Sequence, residues 1–335
     1  MFNEFNVIRT QLRLGVLFVA LFSLLVVTGC ATSPQTQKLL AQPSSSFKST
    51  ELTDVPFYPQ TQYQCGPAAL ATVMQYRGRD VQPDELVSQV YIPEKKGSLQ
   101  IEMIAASRKQ DLMPYPLAPK LSALLDELEA GNPVLVMQNL GLDWYPVWHY
   151  AVVVGYDLDK QYLILRSAET KRWISDLSTF ERTWQRSNYW AIVMVTPDQL
   201  PATAEPAMWL KTAFELEQVG QVNAAVQAYQ TGLNQWPDSF ETGLALTNLH
   251  YTQQNFSQAD SIFELMTSQH GSNATLWNNW AYNLKAQSCN TQAKQAAACA
   301  LKRQPDRENI QSTWSEMQAL PDQNKAIDCP VINCD

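Results

Sequence analysis

Three rhythms of hydrophobic and polar residues follow one another along the chain. Leu14 to Val27 is an uncharged, mostly apolar run with Arg9 and Arg13 ahead of it, and residues 32–50 are a polar stretch rich in Ser, Gln, Thr and Pro. From about Val55 to residue 200, short β-rich apolar runs are interspersed with segments of helical period. This pattern predicts helices at 65–76, 83–91, 99–108, 119–130 and 178–186, and strands at 133–138, 148–156, 161–166, 171–174 and 189–195 of a largely antiparallel sheet. The chain from Pro206 onward keeps the helical period throughout.

The helical half also repeats. Ala225, Ala259 and Ala293 are 34 residues apart, as are Ala213, Thr247 and Ala281; Trp209 and Trp277 stand two such periods apart, as do Pro237 and Pro305. Small residues where paired helices cross, bulky ones between units and a closing Pro form the tetratricopeptide signature. Three repeats are expected, at 206–239, 240–273 and 274–307. In the remaining 308–335, a helix near 307–319 would cap the last apolar face ahead of a cysteine-bearing tail. Such an array most often presents a surface to a protein partner.

Length and composition fit this division. A chain of 335 residues exceeds what one core usually supports, and 45% apolar with 17% charged residues is a globular balance. A net charge of −8 without a basic patch argues against a nucleic-acid footprint. The run of about 14 residues ending at Val27 would span only about 21 Å as a helix, against roughly 30 Å of hydrocarbon, so 1–29 is expected to be a signal segment. Leu25-Val26-Val27-Thr28-Gly29-Cys30 resembles the bacterial lipobox. The resemblance implies that Cys30 is acylated as the mature N-terminus and that residues 30–51 tether the chain to a membrane. Ala31 in place of the Asp that retains such proteins at the inner membrane favours the outer membrane, facing the periplasm. Residues 32–50 cannot form a core and are expected to be flexible, with folding starting near Val55.

The candidate chemistry lies in Gln60 to Leu70 and Trp148 to Tyr156. Cys65 precedes Gly66-Pro67 and opens a predicted helix, where Pro67 suits the first turn. At a helix N-terminus, unpaired N–H groups and the macrodipole favour the nucleophilic thiolate. Gly66 would leave room for a substrate carbonyl, and a side-chain amide upstream would join the Cys65 N–H as an oxyanion hole. Gln60 is the candidate, with Gln62 and Gln64 competing. His149, the only His between residues 31 and 200, opens an apolar strand that can aim an imidazole at the helix N-terminus.

Gln60 to Leu70 and His149 to Gly155 resemble C39-type cysteine peptidases of the papain-like group, a likeness extended by Leu165-Arg166-Ser167 and Phe180-Glu181-Arg182-Thr183-Trp184. More narrowly, the chain resembles C39-like lipoprotein peptidases that carry tetratricopeptide repeats. The likeness covers 52–200. It implies an α+β papain-like cysteine peptidase domain followed by an all-α tetratricopeptide-repeat domain, with Cys65 as nucleophile, His149 as general base and Gln60 as oxyanion donor. The family's His-orienting Asp, usually followed by Pro, has no counterpart after the strand ending at Arg166. Ser167 is the candidate substitute, with Asp157 and Glu169 as alternatives; a neutral partner stabilises imidazolium less than a carboxylate does. Trp144, Tyr145 and Trp148, just before His149, are candidates to line a peptide groove or simply to pack.

Four cysteines remain. Cys289 and Cys299 sit on one predicted helix about 15 Å apart, beyond disulfide reach, so each is expected to pair with Cys329 or Cys334, in either of two arrangements. His250 and His270 have no ligands at metal spacing, and neither metal nor cofactor is expected. The expected function is a lipid-anchored, periplasm-facing thiol hydrolase of peptide or isopeptide bonds in a peptide or protein substrate. The alternative is a weak or inactive peptidase fold serving as a binding scaffold.

Overall fold

A computed structural model describes residues 33–41, 49–60, 64–322 and 328–334. The expected signal segment, Cys30 with its expected acylation, and Gln62 lie outside the described residues. Among the described residues no helix is long and apolar enough to cross a membrane.

In chain order the strands are β1 (Ser49–Glu51), β2 (Tyr91–Ile92), β3 (Gly97–Ser98), β4 (Met113–Pro116), β5 (Val134–Asn139), β6 (Trp148–Asp157), β7 (Tyr162–Ser167), β8 (Thr170–Asp176) and β9 (Ala191–Val195). The main sheet runs β4-β9-β5-β6-β7-β8, all antiparallel, with β1 beside the far half of β6; β2 and β3 form a separate hairpin. The helices of this domain are α1 (Pro34–Leu40), α2 (Cys65–Tyr76), α3 (Pro83–Val90), α4 (Gln100–Arg108), α5 (Leu121–Glu129) and α6 (Leu177–Gln185). The α+β architecture expected from the hydrophobic pattern is therefore present.

The central strand β6 is apolar on both faces because both are covered. Tyr150, Val152 and Val154 share a core with Leu70, Val73 and Met74 of α2 and Leu86 of α3. Ala151 and Val153 share a second core with Leu124 of α5 and Phe180 and Trp184 of α6. A bulge between Val153 and Gly155 shifts the alternation, so Tyr156 joins the second core. Gly155 is required where β1 crosses, since a Cβ there would stand 2.5 Å from the Thr50 carbonyl oxygen. The strand β4, Met-Pro-Tyr-Pro, gave no strand signal in the sequence. Its two prolines are tolerated because it lies at the sheet edge.

The reading of 32–50 as a flexible tether is corrected for its described residues, 33–41 and 49–50. Residues 34–40 form α1, whose first N–H groups, those of Gln35 and Thr36, donate to the fully buried Glu181 carboxylate at 2.9 and 2.6 Å. The Gln35 side chain bridges the Pro119 carbonyl and the Leu121 N–H. Composition missed this helix because its partners lie some 145 residues away: a polar segment needs no core of its own when a buried carboxylate satisfies its helix N-terminus.

The second half consists of helix pairs α7 (Pro206–Gln218) and α8 (Val222–Gln235), α9 (Phe240–Thr252) and α10 (Phe256–His270), α11 (Ala274–Ala286) and α12 (Asn290–Arg303), closed by α13 (Glu308–Gln318). Corresponding helices start 34 residues apart, and the residues at the crossings, Ala213, Ala225, Thr247, Ala259, Ala281 and Ala293, are fully buried. Two disulfides, Cys289 to Cys329 and Cys299 to Cys334, with Cα separations of 5.7 and 5.6 Å, hold the tail against α12. Of the two arrangements open in the sequence, this is the one adopted.

The halves are joined by buried polar contacts and a continuous apolar core. The Glu127 carboxylate, fully buried, accepts from the Thr203 N–H and hydroxyl at 2.7 and 2.6 Å, from the Ala202 N–H at 3.2 Å and from Asn132 at 2.7 Å. The Tyr115 hydroxyl accepts from the Glu205 N–H, and Arg108 pairs with Glu215 of α7.

Candidate active site

Helix α2 runs through the middle of the domain, and Gly66 to Met74 are all buried. Its N-terminus holds Cys65 at the floor of a cleft of about 1420 Å³. The walls come from the β2–β3 hairpin (Lys95 to Ser98), the loop before β6 (Tyr145 to Trp148) and the β7–β8 turn (Ala168 to Thr170), with Trp173 of β8. Gln60 and His149 line the same cleft, so the structure gathers residues distant in sequence into one place.

The thiol of Cys65 faces the N–H groups of Gly66 and Cys65 at the helix N-terminus and that of Tyr150, the residue after His149. These donors favour the thiolate, as expected for a helix N-terminus. Burial outweighs them, however, and pushes the thiol up from its ordinary range. The expectation of a lowered thiol pKa is thus corrected: the donors are in place, but the half-buried thiolate would lose more hydration than they restore. Burial also lowers His149 to about 4. At neutral pH the unliganded site accordingly holds a neutral imidazole, able to accept a proton, and a neutral thiol.

His149 Nε2 lies 2.8 Å from Ser167 Oγ. Ser167 is thus the group that holds the ring, through Nε2. Of the alternatives, Asp157 is at the far end of β6, roughly 26 Å along the strand at 3.3 Å per residue, and is paired with Lys160. Glu169 lines the cleft but is exposed in the β7–β8 turn. Gln60 is fixed by its own N–H, which donates to the Ala168 carbonyl at 3.1 Å, and its side chain borders the cleft; Gln64 is the N-cap residue of α2.

The role expected for Gly66 is also corrected. The space beside it is occupied by Ser98: a Cβ on Gly66 would stand 2.5 Å from the Ser98 Cβ. Gly66 therefore lets the β2–β3 hairpin close against α2 rather than admitting a substrate carbonyl. The Ser98 Oγ is buried and makes no hydrogen bond among the described residues, while its carbonyl accepts from the Tyr150 hydroxyl at 3.2 Å. Sequence reasoning missed this wall because Tyr91 to Ser98 has too few residues for a periodic signal; the Pro93 and Gly97 turn residues were the only cue.

In the sequence Arg166 is marked only by the family resemblance of Leu165-Arg166-Ser167. It is buried, and its guanidinium donates to the carbonyls of Val55 at 3.2 Å, Lys171 at 2.8 Å, Leu52 at 3.4 Å and Thr53 at 3.3 Å. It ties the segment leading to Gln60 onto the hairpin that carries Ser167. Tyr145 and Trp148 line the cleft, whereas Trp144 stands out in solvent with its ring against Tyr145. Among the described residues no cluster of His, Cys, Asp and Glu is arranged to hold a metal; His250 is largely buried in α9, and His270 Nε2 lies 3.0 Å from the Asp238 carbonyl.

Residues 52–192 match the model of the Peptidase_C39 like family. Among solved structures, the chain is similar to a C39-like peptidase from Bacillus anthracis, with 18% identity over 45% of this chain and 98% of the other and a TM-score of 0.38. It is also similar to a double glycine motif protease from an AMS/PCAT transporter in complex with its leader peptide, with 17% identity over 42% and 91% of the two chains and a TM-score of 0.32. The helical half is similar to the first TPR of Spaghetti (RPAP3) bound to an HSP90 peptide, with 13% identity over 34% and 90% and a TM-score of 0.32. No curated protein matches the chain significantly. The match to the Peptidase_C39 like family is therefore confined to residues 52–192, the α/β half with the C39-like fold, and a long all-helical region whose helix pairs recur every 34 residues follows it.

Proposed function

We propose that the protein is a cysteine peptidase in which Cys65 attacks the substrate carbonyl, His149 takes the thiol proton, Ser167 orients His149 and Gln60 helps hold the oxyanion. The observation that carries this reading is the gathering of a helix-N-terminal Cys65 and a Ser167-held His149 in one cleft. Attack transfers the thiol proton to the neutral imidazole; the developing oxyanion then meets the donors at the head of α2, and His149 returns the proton to the leaving amine. Because burial keeps thiol and imidazole neutral at rest, proton transfer is expected to accompany substrate binding rather than precede it. The proposal places the chain in the cell envelope, anchored through an acylated Cys30 and facing the periplasm, with its repeats presenting a surface to a protein partner.

A second reading, a peptide-binding module without turnover, is favoured by that same neutral pair and by the serine where the family has a carboxylate. Hydrolysis of a complex peptide mixture by the purified chain separates the two. Turnover lost in Cys65→Ala and reduced by about 100-fold or more in His149→Ala supports the peptidase. Peptide binding without cleavage, together with Cys65 alkylation whose pH profile ignores His149, would leave the binding module.

A further inference from the structure

The loop before β6 bears an apolar surface that the domain does not cover. Leu140, Leu142, Trp144, Tyr145, Val147 and Trp148 are all exposed, Trp144 to 81% and Tyr145 to 68%. A single exposed Leu is ordinary, but six exposed large apolar side chains within nine residues are not; Tyr145, Val147 and Trp148 of these also line the cleft, whereas Leu140, Leu142 and Trp144 do not. The loop is firmly supported: Asn139 Oδ1 accepts from the N–H groups of Gly141 and Val147 at 2.9 Å each, and Arg186 donates to the carbonyls of Asn139 and Gly141 at 3.3 and 2.9 Å. Its aromatics are therefore displayed by a braced turn.

The described N-terminus is docked on the helix whose C-terminal end braces this loop. The first turn of α1 is bound to Glu181, and Arg186, which braces the loop, caps the same helix α6 five residues later, about 7.5 Å along its axis. Cys30 precedes Ser33 by three residues, which reach at most about 10 Å. Short reach and rigid docking together would hold the aromatic loop near whatever surface Cys30 is attached to. Trp and Tyr are the side chains that settle at the level of lipid headgroups. Asp143, exposed beside Arg186 at 4.0 Å, would keep the loop tip at that level rather than in the hydrocarbon.

We infer that the 140–148 loop is a membrane-docking element that seats the domain against a phospholipid surface beside the lipid anchor, with the mouth of the cleft close to the bilayer. The inference rests on the proposed acylation of Cys30, and its test does not use the acyl chain. The chain from residue 30 onward, carrying Cys30→Ser, is mixed with vesicles of phosphatidylethanolamine and phosphatidylglycerol containing lipids brominated in the acyl chain. Docking predicts co-sedimentation and quenching of tryptophan fluorescence. In Leu142→Ser/Trp144→Ser, whose side chains do not line the cleft, vesicle affinity should fall at least tenfold and the quenching should decrease, with hydrolysis of soluble peptides unchanged. Absence of quenching in the unsubstituted loop, or equal vesicle affinity of the double variant, overturns the proposal. A double variant that binds vesicles normally but raises KM for a soluble peptide overturns it in favour of a substrate-binding wall. Acylation itself is read separately, from the mass of the mature N-terminal peptide.

Discussion

In the proposed mechanism Ser167 is the residue on which the chemistry turns. A serine hydroxyl can orient the imidazole but adds little to the stability of the imidazolium. Loss of this bond in Ser167→Ala should lower kcat/KM roughly tenfold, the effect of about 1.4 kcal/mol. Ser167→Asp should act in the opposite direction: a carboxylate at Nε2 raises His149 from about 4, draws the Cys65 thiol down and increases kcat/KM, most visibly as alkylation of Cys65 at lower pH. His149 also reports on stability. Folding lowers its pKa from 6.5 to about 4, so the unfolded chain binds the proton more readily. The contribution is complete above pH 6.5 and is lost as pH falls toward 4, by about 3 kcal/mol in all. Chemical denaturation at a series of pH values should show this slope, and His149→Ala should flatten it between pH 4 and 6.5.

At the scale of elements, the tail and its disulfides can be tested independently of the cleft. Cys289 to Cys329 and Cys299 to Cys334 close loops of 40 and 35 residues. Each such closure contributes roughly 4 kcal/mol in the chain-entropy account, and the two together less than their sum because the loops overlap. Reduction should therefore lower the melting temperature of the chain while leaving the spectroscopic signature of α7 to α10 intact below it. Peptide mapping under non-reducing conditions checks the pairing directly. The same scale explains two misreadings of the sequence: α1 is too polar and β4 too rich in proline to announce themselves. One is held by a distant buried carboxylate and the other by its place at a sheet edge.

For the whole molecule, the decisive feature is that the linker after β9 is fastened rather than free. Glu127 gathers the N–H groups of Ala202 and Thr203 and the Thr203 hydroxyl in a site closed to water, and the apolar core runs on from the sheet into the repeats. Substituting Glu127 with Ala strands these donors, at a cost of about 2 to 4 kcal/mol. The intact chain should unfold in one calorimetric transition, and Glu127→Ala should separate it into two, one for each half. Two transitions in the unsubstituted chain would show that the halves are only loosely coupled.

Much of this organisation is local and therefore written along the chain. The 34-residue period places every helix of the second half, because each repeat buries the same small residues, such as Ala225 and Ala259, against its neighbours. Cys65 followed by Gly66-Pro67, and His149 at the head of an apolar run, mark the two halves of the cleft because helix starts and buried strands have short-range signals. What required the tertiary structure is everything set by contact between distant segments. The choice of Ser167 over Asp157 and Glu169 depends on which strand end lies beside His149. The filling of the space at Gly66 depends on a hairpin some thirty residues away. Whether the Cys65 thiol is raised or lowered depends on how far the assembled walls exclude water, because desolvation acts through three-dimensional surroundings while a helix N-terminus acts through sequence neighbours.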